Sequence, residues 1–178
     1  MNKFAKLCPI PQLSGKMARY YSIHFEGKKT PEVEDFLLRH ETLTYVQEEL
    51  DEVLAWIDGI AHDTGALENL FRQERKAAAL PPENRERARN RQRFEIQYQE
   101  SNRLRLYLVR FNEYVVILLN GGIKSSRDPE DCPNVRPYFR QAQIIAASLD
   151  DALDNGDIRY NKDKTDIIIH PDFEIQIT

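Results

Sequence analysis

The sequence predicts an α+β domain: an antiparallel β-meander with an N-terminal edge strand, packed by an N-terminal helical hairpin and a C-terminal helix. Three observations carry that expectation. Residues 102–128, NRLRLYLVRFNEYVVILLNGGIKSSRD, read as two strands joined by a tight turn at Asn112-Glu113. Residues 43–61 place Leu43, Val46, Leu50, Val53, Leu54, Ile57, Ile60 and Ala61 at helical spacing. A third stretch, introduced by Pro133 and Pro137, aligns Phe139, Ala142, Ile145, Ala146, Leu149 and Leu153 as one apolar stripe. At 178 residues the chain is expected to form one domain with a core that needs no staples.

In chain order, residues 1–17 carry Pro9, Pro11 and Gly15 and read as a flexible leader. Residues 19–26 alternate, with Tyr21, Ile23 and Phe25 against Tyr20, Ser22 and His24, which predicts a first strand. Thr30-Pro31-Glu32 supplies a hydroxyl cap, a proline at the first helical position and an acid in the first turn, so a helix is expected to run to about His40. A second helix follows from about Glu41 and stops at His62-Asp63-Thr64-Gly65. The two helices form a hairpin that can cover one face of the sheet, and the helices are expected to pack on one face only. Residues 66–75 are read as one or two further helical turns. Residues 77–91, with Pro81-Pro82 and the run RERARNR, form a charged insertion that is either a solvated loop or a short helix. Residues 93–99 alternate again, Phe94, Ile96 and Tyr98 inward against Arg93, Glu95 and Gln97, and open the meander. The C-terminal helix ends at Asn155-Gly156, which closes a domain spanning 18–157. Residues 158–160 and 165–169 make a hairpin in an extension over 158–178.

The hairpin at 102–128 has a divided first strand. Leu104, Leu106 and Leu108 share one face, while Arg103, Arg105 and Tyr107 share the other. Adjacent guanidiniums repel, so this face reads as a surface for anions. The second strand is apolar on both faces from Val115 to Leu119, which predicts a central position. Beyond Asn120-Gly121-Gly122 it delivers Lys124 and Arg127. The chain's net charge of -4 argues against an indiscriminate nucleic-acid coat. Its distribution is uneven: residues 71–140 hold 15 Lys/Arg against 9 Asp/Glu, and the rest of the chain 10 against 20. A local anion site is compatible with that basic middle. Cys8 and Cys132, the only cysteines, are expected to be reduced thiols. The N-terminus lacks a continuous apolar core for a secretory signal, and no apolar run reaches the length of a membrane span, so a cytoplasmic location is expected. Asp150, Asp151 and Asp154 lack the glycine-bearing loop of a calcium site, and no metal or other cofactor is expected.

The element order, with LRLYLVRF (104–111), VVILLNGGIK (115–124) and SSRDPEDCPNVRPYFRQA (125–142), resembles the RelE/ParE/HigB superfamily of bacterial toxins from toxin–antitoxin modules. Its HigB-like branch shows an arginine on the penultimate strand, an apolar strand, a bend, a lysine and a proline-led helix. Arg105, Ile117 to Leu119, Gly121-Gly122, Lys124 and Pro133/Pro137 match those features. The chain is longer and more acidic than usual members, and Gly121-Gly122 stands where an aromatic is common. The resemblance implies a RelE-like fold and metal-independent cleavage of messenger RNA on the ribosome. It also implies a cognate antitoxin, often a helix-turn-helix protein. The alternative is a noncatalytic module of the same fold that contacts a protein partner.

Such cleavage needs a base, an acid and cations where charge develops. Arg105 and Arg103 are candidates to clamp phosphate, and Lys124 to add a point charge or transfer a proton. Tyr107 is a candidate to stack on a base. No histidine falls in the hairpin, so Glu95, on the outward face of the neighbouring strand, is the candidate base. Arg72 and Glu74 are expected to join from the preceding loop, and Arg127 to contact RNA beyond Lys124. The structural alternative pairs Arg103 and Arg105 with Glu95 and Glu74 across a solvated sheet and puts Tyr107 in the core.

Overall fold

The computed structural model describes residues 3–177. Its strands and helices are β1 (Lys3–Pro9), β2 (Arg19–Phe25), α1 (Glu32–Glu41), α2 (Gln47–Gly59), β3 (Arg72–Glu74), β4 (Ala77–Leu80), α3 (Asn84–Asn90), β5 (Leu104–Arg110), β6 (Val115–Ile123), α4 (Arg136–Asn155), β7 (Ile158–Tyr160), β8 (Ile167–Ile169) and β9 (Ile175–Ile177). It is an α+β fold built on a seven-stranded sheet in the order β3-β4-β5-β6-β2-β1-β9, with β7 and β8 forming a separate hairpin. All neighbours in the large sheet are antiparallel except β2 and β6. Among the described residues no helix is long and apolar enough to cross a membrane.

Helices cover both faces of the sheet, which corrects the expectation of a single covered face. Leu104, Leu106, Leu108, Val116 and Leu118 pack with Phe36 of α1 and Val53, Trp56 and Ile57 of α2. On the other side Tyr107, Val109, Val115 and Ile117 meet the stripe Phe139, Ala142, Ile145 and Leu149 of α4. β6 is buried on both faces, as an unbroken apolar run demands. With two sides to fill, β2 lies inside the sheet between β6 and β1 rather than at its edge.

Four segments depart from the sequence expectation. Residues 3–9 are not a loose leader: they pair with β2 and β9 as β1. Residues 72–74 and 77–80 form the hairpin β3–β4 instead of helical turns and a solvated insertion, because an all-buried Ala-Ala-Ala-Leu strand fits between charged β3 and leucine-rich β5. The charged run 84–90 does form a helix, α3. Residues 93–99 are no strand. Phe94 and Ile96 point into the α2 core from turns and coil, with Phe94 edge-on to Trp56 at 4.9 Å between centroids. Alternation there reflects two anchors, and β4 takes the neighbouring place in the sheet.

One polar network fixes the entry to β5. Glu52 of α2, fully buried, accepts from Arg87 Nε at 2.7 Å and Nη2 at 2.6 Å and from Trp56 Nε1 at 2.9 Å. Asn102 donates to Glu52 at 3.3 Å and to the Glu49 carbonyl at 3.0 Å. Arg87 also donates to the Glu100 carbonyl at 2.7 Å. Removing one partner strands a buried charge. Arg87→Ala is therefore expected to lower the unfolding free energy by about 3–5 kcal/mol in urea titration; a loss below about 1 kcal/mol would show the pair to be hydrated and incidental.

Candidate functional site

Two adjacent glycines set the geometry where β5 and β6 meet the loop before α4. A Cβ on Gly121 would fall on the carbonyl oxygen of Arg105, and one on Gly122 would lie 2.5 Å from the Asn134 carbonyl oxygen. Glycine thus lets β5 and the loop before α4 close on β6 together. Arg105 stands opposite Gly122 in the register, and the pairing shifts between Leu106 and Leu108. The floor continues sideways, with Arg72, Ala79 and Tyr107 in one cross-strand row and Glu74 opposite Ala77. Small residues at Ala77, Ala79 and Gly122 leave that face to Arg72, Glu74, Arg105, Tyr107 and Lys124.

The Arg72 charge acts on all four of Glu74, Arg105, Tyr107 and Lys124, and Glu74 and Arg105 act on each other and on both Tyr107 and Lys124. Loss of water, then the neighbouring Arg72 cation, pull the Arg105 pKa down to about 10, with Glu74 opposing. Burial and the Arg105 charge lower that of Lys124. Burial raises that of Glu74 in spite of Lys124, Arg72 and Arg105. The Tyr107 phenol is raised by burial and by Glu74, so it stays protonated.

The cations are not neutralised alike. Arg72 donates to Glu83 at 3.0 Å and to the carbonyls of Pro81 and Pro82 at 3.4 and 3.2 Å. Arg105 Nη1 donates only to backbone, the Asn102 carbonyl at 2.6 Å and that of Leu104 at 2.9 Å. Among the described residues neither Arg105 nor Lys124 forms an ion pair. Arg105 Nε and the Tyr107 hydroxyl are buried without a hydrogen-bond partner. The loop after Lys124 is tied down by Cys132, whose buried Sγ accepts from the Ser126 N–H at 3.0 Å.

Arg105 and Lys124 thus lie near one another, and Arg72 and Glu74 join them, both from strand β3 rather than from the loop expected to deliver them. Arg103 does not. Its carbonyl still accepts from the Lys124 N–H at 2.8 Å, but its side chain turns to the α2 side and pairs with Glu49 at 3.3 Å. Glu95 is exposed in a left-handed turn (φ 57°) and lines a cleft with Glu48 and Asp51 on the α2 side, so it cannot serve as base for Arg105. Tyr107 is fully buried edge-on to Phe139 at 5.8 Å, which removes it as a stacking platform and leaves its hydroxyl as the polar element. Arg127 is exposed in the loop beyond Lys124 and is not among the groups that perturb Arg105 or Lys124. The i, i+2 spacing of Arg72 and Glu74 was the signal for a shared strand face.

No family model, no curated protein and no solved structure matches the chain.

A buried hydroxyl without a partner costs stability. Tyr107→Phe is expected to leave the unfolding free energy unchanged or raise it by up to about 1–3 kcal/mol. A clear loss in thermal or urea unfolding would mean that the hydroxyl has a structural partner.

Proposed function

We propose that the protein is a toxin of the RelE/ParE/HigB kind, a ribonuclease that cleaves messenger RNA on the ribosome and is silenced by a cognate antitoxin. The observation that carries the reading is the pair of buried Arg105 and half-buried Lys124, cations with no carboxylate ion-pair partner among the described residues, beside the half-buried carboxyl of Glu74. Unpaired buried charge is costly, and a phosphodiester supplies the missing counter-charge.

The roles follow from the chemistry. Glu74 takes the proton of the 2′-hydroxyl as that oxygen bonds to phosphorus. Its raised pKa brings it closer to a base matched to neutral pH. The bond from phosphorus to the 5′-oxygen breaks, and Lys124, with its lowered pKa, donates a proton to the leaving alkoxide. The products are a 2′,3′-cyclic phosphate and a 5′-hydroxyl. Arg105, with Arg72 behind it, stabilises the charge gathering on the phosphoryl oxygens. The burial of Arg105, 8% exposed, favours the second reading, a noncatalytic module of the same fold that contacts a protein partner.

Induced expression with primer extension on cellular transcripts separates these readings. Cleavage is expected from the native chain, and Arg105→Ala with Lys124→Ala should relieve growth arrest while circular dichroism stays native. Growth arrest without new transcript ends would favour the noncatalytic module, and undiminished toxicity of the double variant would exclude this cluster. In vitro, Glu74→Gln should slow cleavage by about 10²–10⁴-fold. The native rate should fall as pH drops through the raised Glu74 pKa, since the base is then protonated. An acid limb that survives in Glu74→Gln would assign the base elsewhere.

A further inference from the structure

Beside the cluster, at the end of β6, lies a groove of about 360 Å³, within the range of sites that take small ligands. Gly122 and Ile123 line it and lead directly into Lys124. Its walls are the end of α1 with the turn that follows, and the start of α4. Three side chains give it a character unlike the charged cluster next door. Tyr45, in the turn between α1 and α2, is 66% exposed. Tyr138, in the first turn of α4, carries the Arg39 guanidinium 4.7 Å above its ring. Arg39 is itself fixed, donating from Nε to Asp35 at 2.9 Å and from Nη2 to Asn120 Oδ1 at 2.5 Å and the Gly121 carbonyl at 2.8 Å. Its Nη1 has no hydrogen-bond partner among the described residues.

Two tyrosines, exposed Pro133 and Pro137 and a guanidinium held in place make flat, sequence-tolerant surfaces of the kind on which unpaired bases stack. His40 adds a polar edge. Its Nδ1 meets the Phe36 carbonyl at 2.7 Å, which only an N–H can satisfy, so in the neutral ring Nε2 is an acceptor. The core does not account for Tyr45, since two-thirds of that residue is in solvent.

We propose that this groove is the nucleobase subsite of the anion cluster, receiving a base of a single-stranded RNA whose adjoining phosphate lies against Arg105 and Lys124. The inference rests on the RNA-directed reading above and adds where the strand runs: from the β3–β6 face, past Gly122, to the gap between α1 and α4. It also reassigns base stacking from buried Tyr107 to Tyr45 and Tyr138.

The test uses a labelled RNA hexanucleotide, with 2′-O-methyl sugars to prevent cleavage, and the same backbone without bases, both titrated by fluorescence anisotropy. The native chain should bind the base-bearing strand on the order of ten-fold more tightly than the abasic one. Tyr45→Ala with Tyr138→Leu should bind both strands at the abasic level, and Lys124→Ala should weaken both in parallel. Tyr45→Ala alone, at a position outside the core, should lose part of the preference and guards against a folding defect in the double variant. If the native chain binds both strands equally, or the double variant keeps the preference, the subsite is wrong and the anion site stands. If the native chain binds neither strand, the RNA reading and the subsite fall together.

Discussion

Arg105 is held in a nearly dry place by backbone carbonyls instead of a carboxylate, and the architecture around it explains how. One of those carbonyls belongs to Asn102, whose side chain is clamped by Glu49 and Glu52 of α2. Glu52 in turn is fixed by Arg87 and Trp56. A buried ionic network in the core under α2 therefore positions a guanidinium on the opposite face of the sheet. Gly121 and Gly122 complete the arrangement by letting β5 and the loop at Asn134 approach β6 without side chains between them. Backbone acceptors orient a cation without neutralising it, which leaves its charge available to a ligand.

The electrostatic consequence is a cluster with surplus positive charge. Of the two carboxylates that act on Arg105, Glu83 is committed to Arg72, and Glu74 forms no ion pair among the described residues. A lysine whose folded pKa lies below its unfolded value binds fewer protons in the folded chain. Its cost is full below the folded pKa and fades as pH rises toward the unfolded one. Lys124 therefore works against folding at neutral pH, a pattern found where function, not stability, selects the residue. The Glu32–Gln141 hydrogen bond at 3.1 Å, linking α1 to α4 past the end of β2, holds together the two helices that frame the neighbouring groove.

Elements whose periodicity and environment agree were legible in the sequence. β6, α2 and α4 bury the faces that their spacing predicts, whereas β5 buries both of its faces, including the Arg105 and Tyr107 side expected as an open surface for anions, because α4 covers it. Segments with too little apolar contrast were not. Ala77 to Leu80 has no alternation to read, and its strand character comes from the neighbours it pairs with. Residues 93–99 do alternate, but they answer to two pockets in the α2 core. That exchange misplaced Glu95 and made Glu74 look like a loop residue. Arg103 shares a parity with Arg105, yet at the entry to the strand both its N–H and its guanidinium are taken by the Glu49 carboxylate, which draws the side chain to α2. For Arg105 and Lys124 the sequence held enough, a charge on one strand face and a lysine delivered by a glycine pair, whereas Arg72 and Glu74 were read as loop residues and lie on β3.

The central claim is that Lys124 and Arg105 are desolvated, mutually repelling cations awaiting an anion. NMR titration of the Lys124 ammonium, with and without an uncleavable 2′-deoxy dinucleotide, tests it most directly. The account predicts a pKa below the ordinary lysine range in the free protein that rises when the phosphodiester is bound. An ordinary pKa indifferent to the dinucleotide would contradict it.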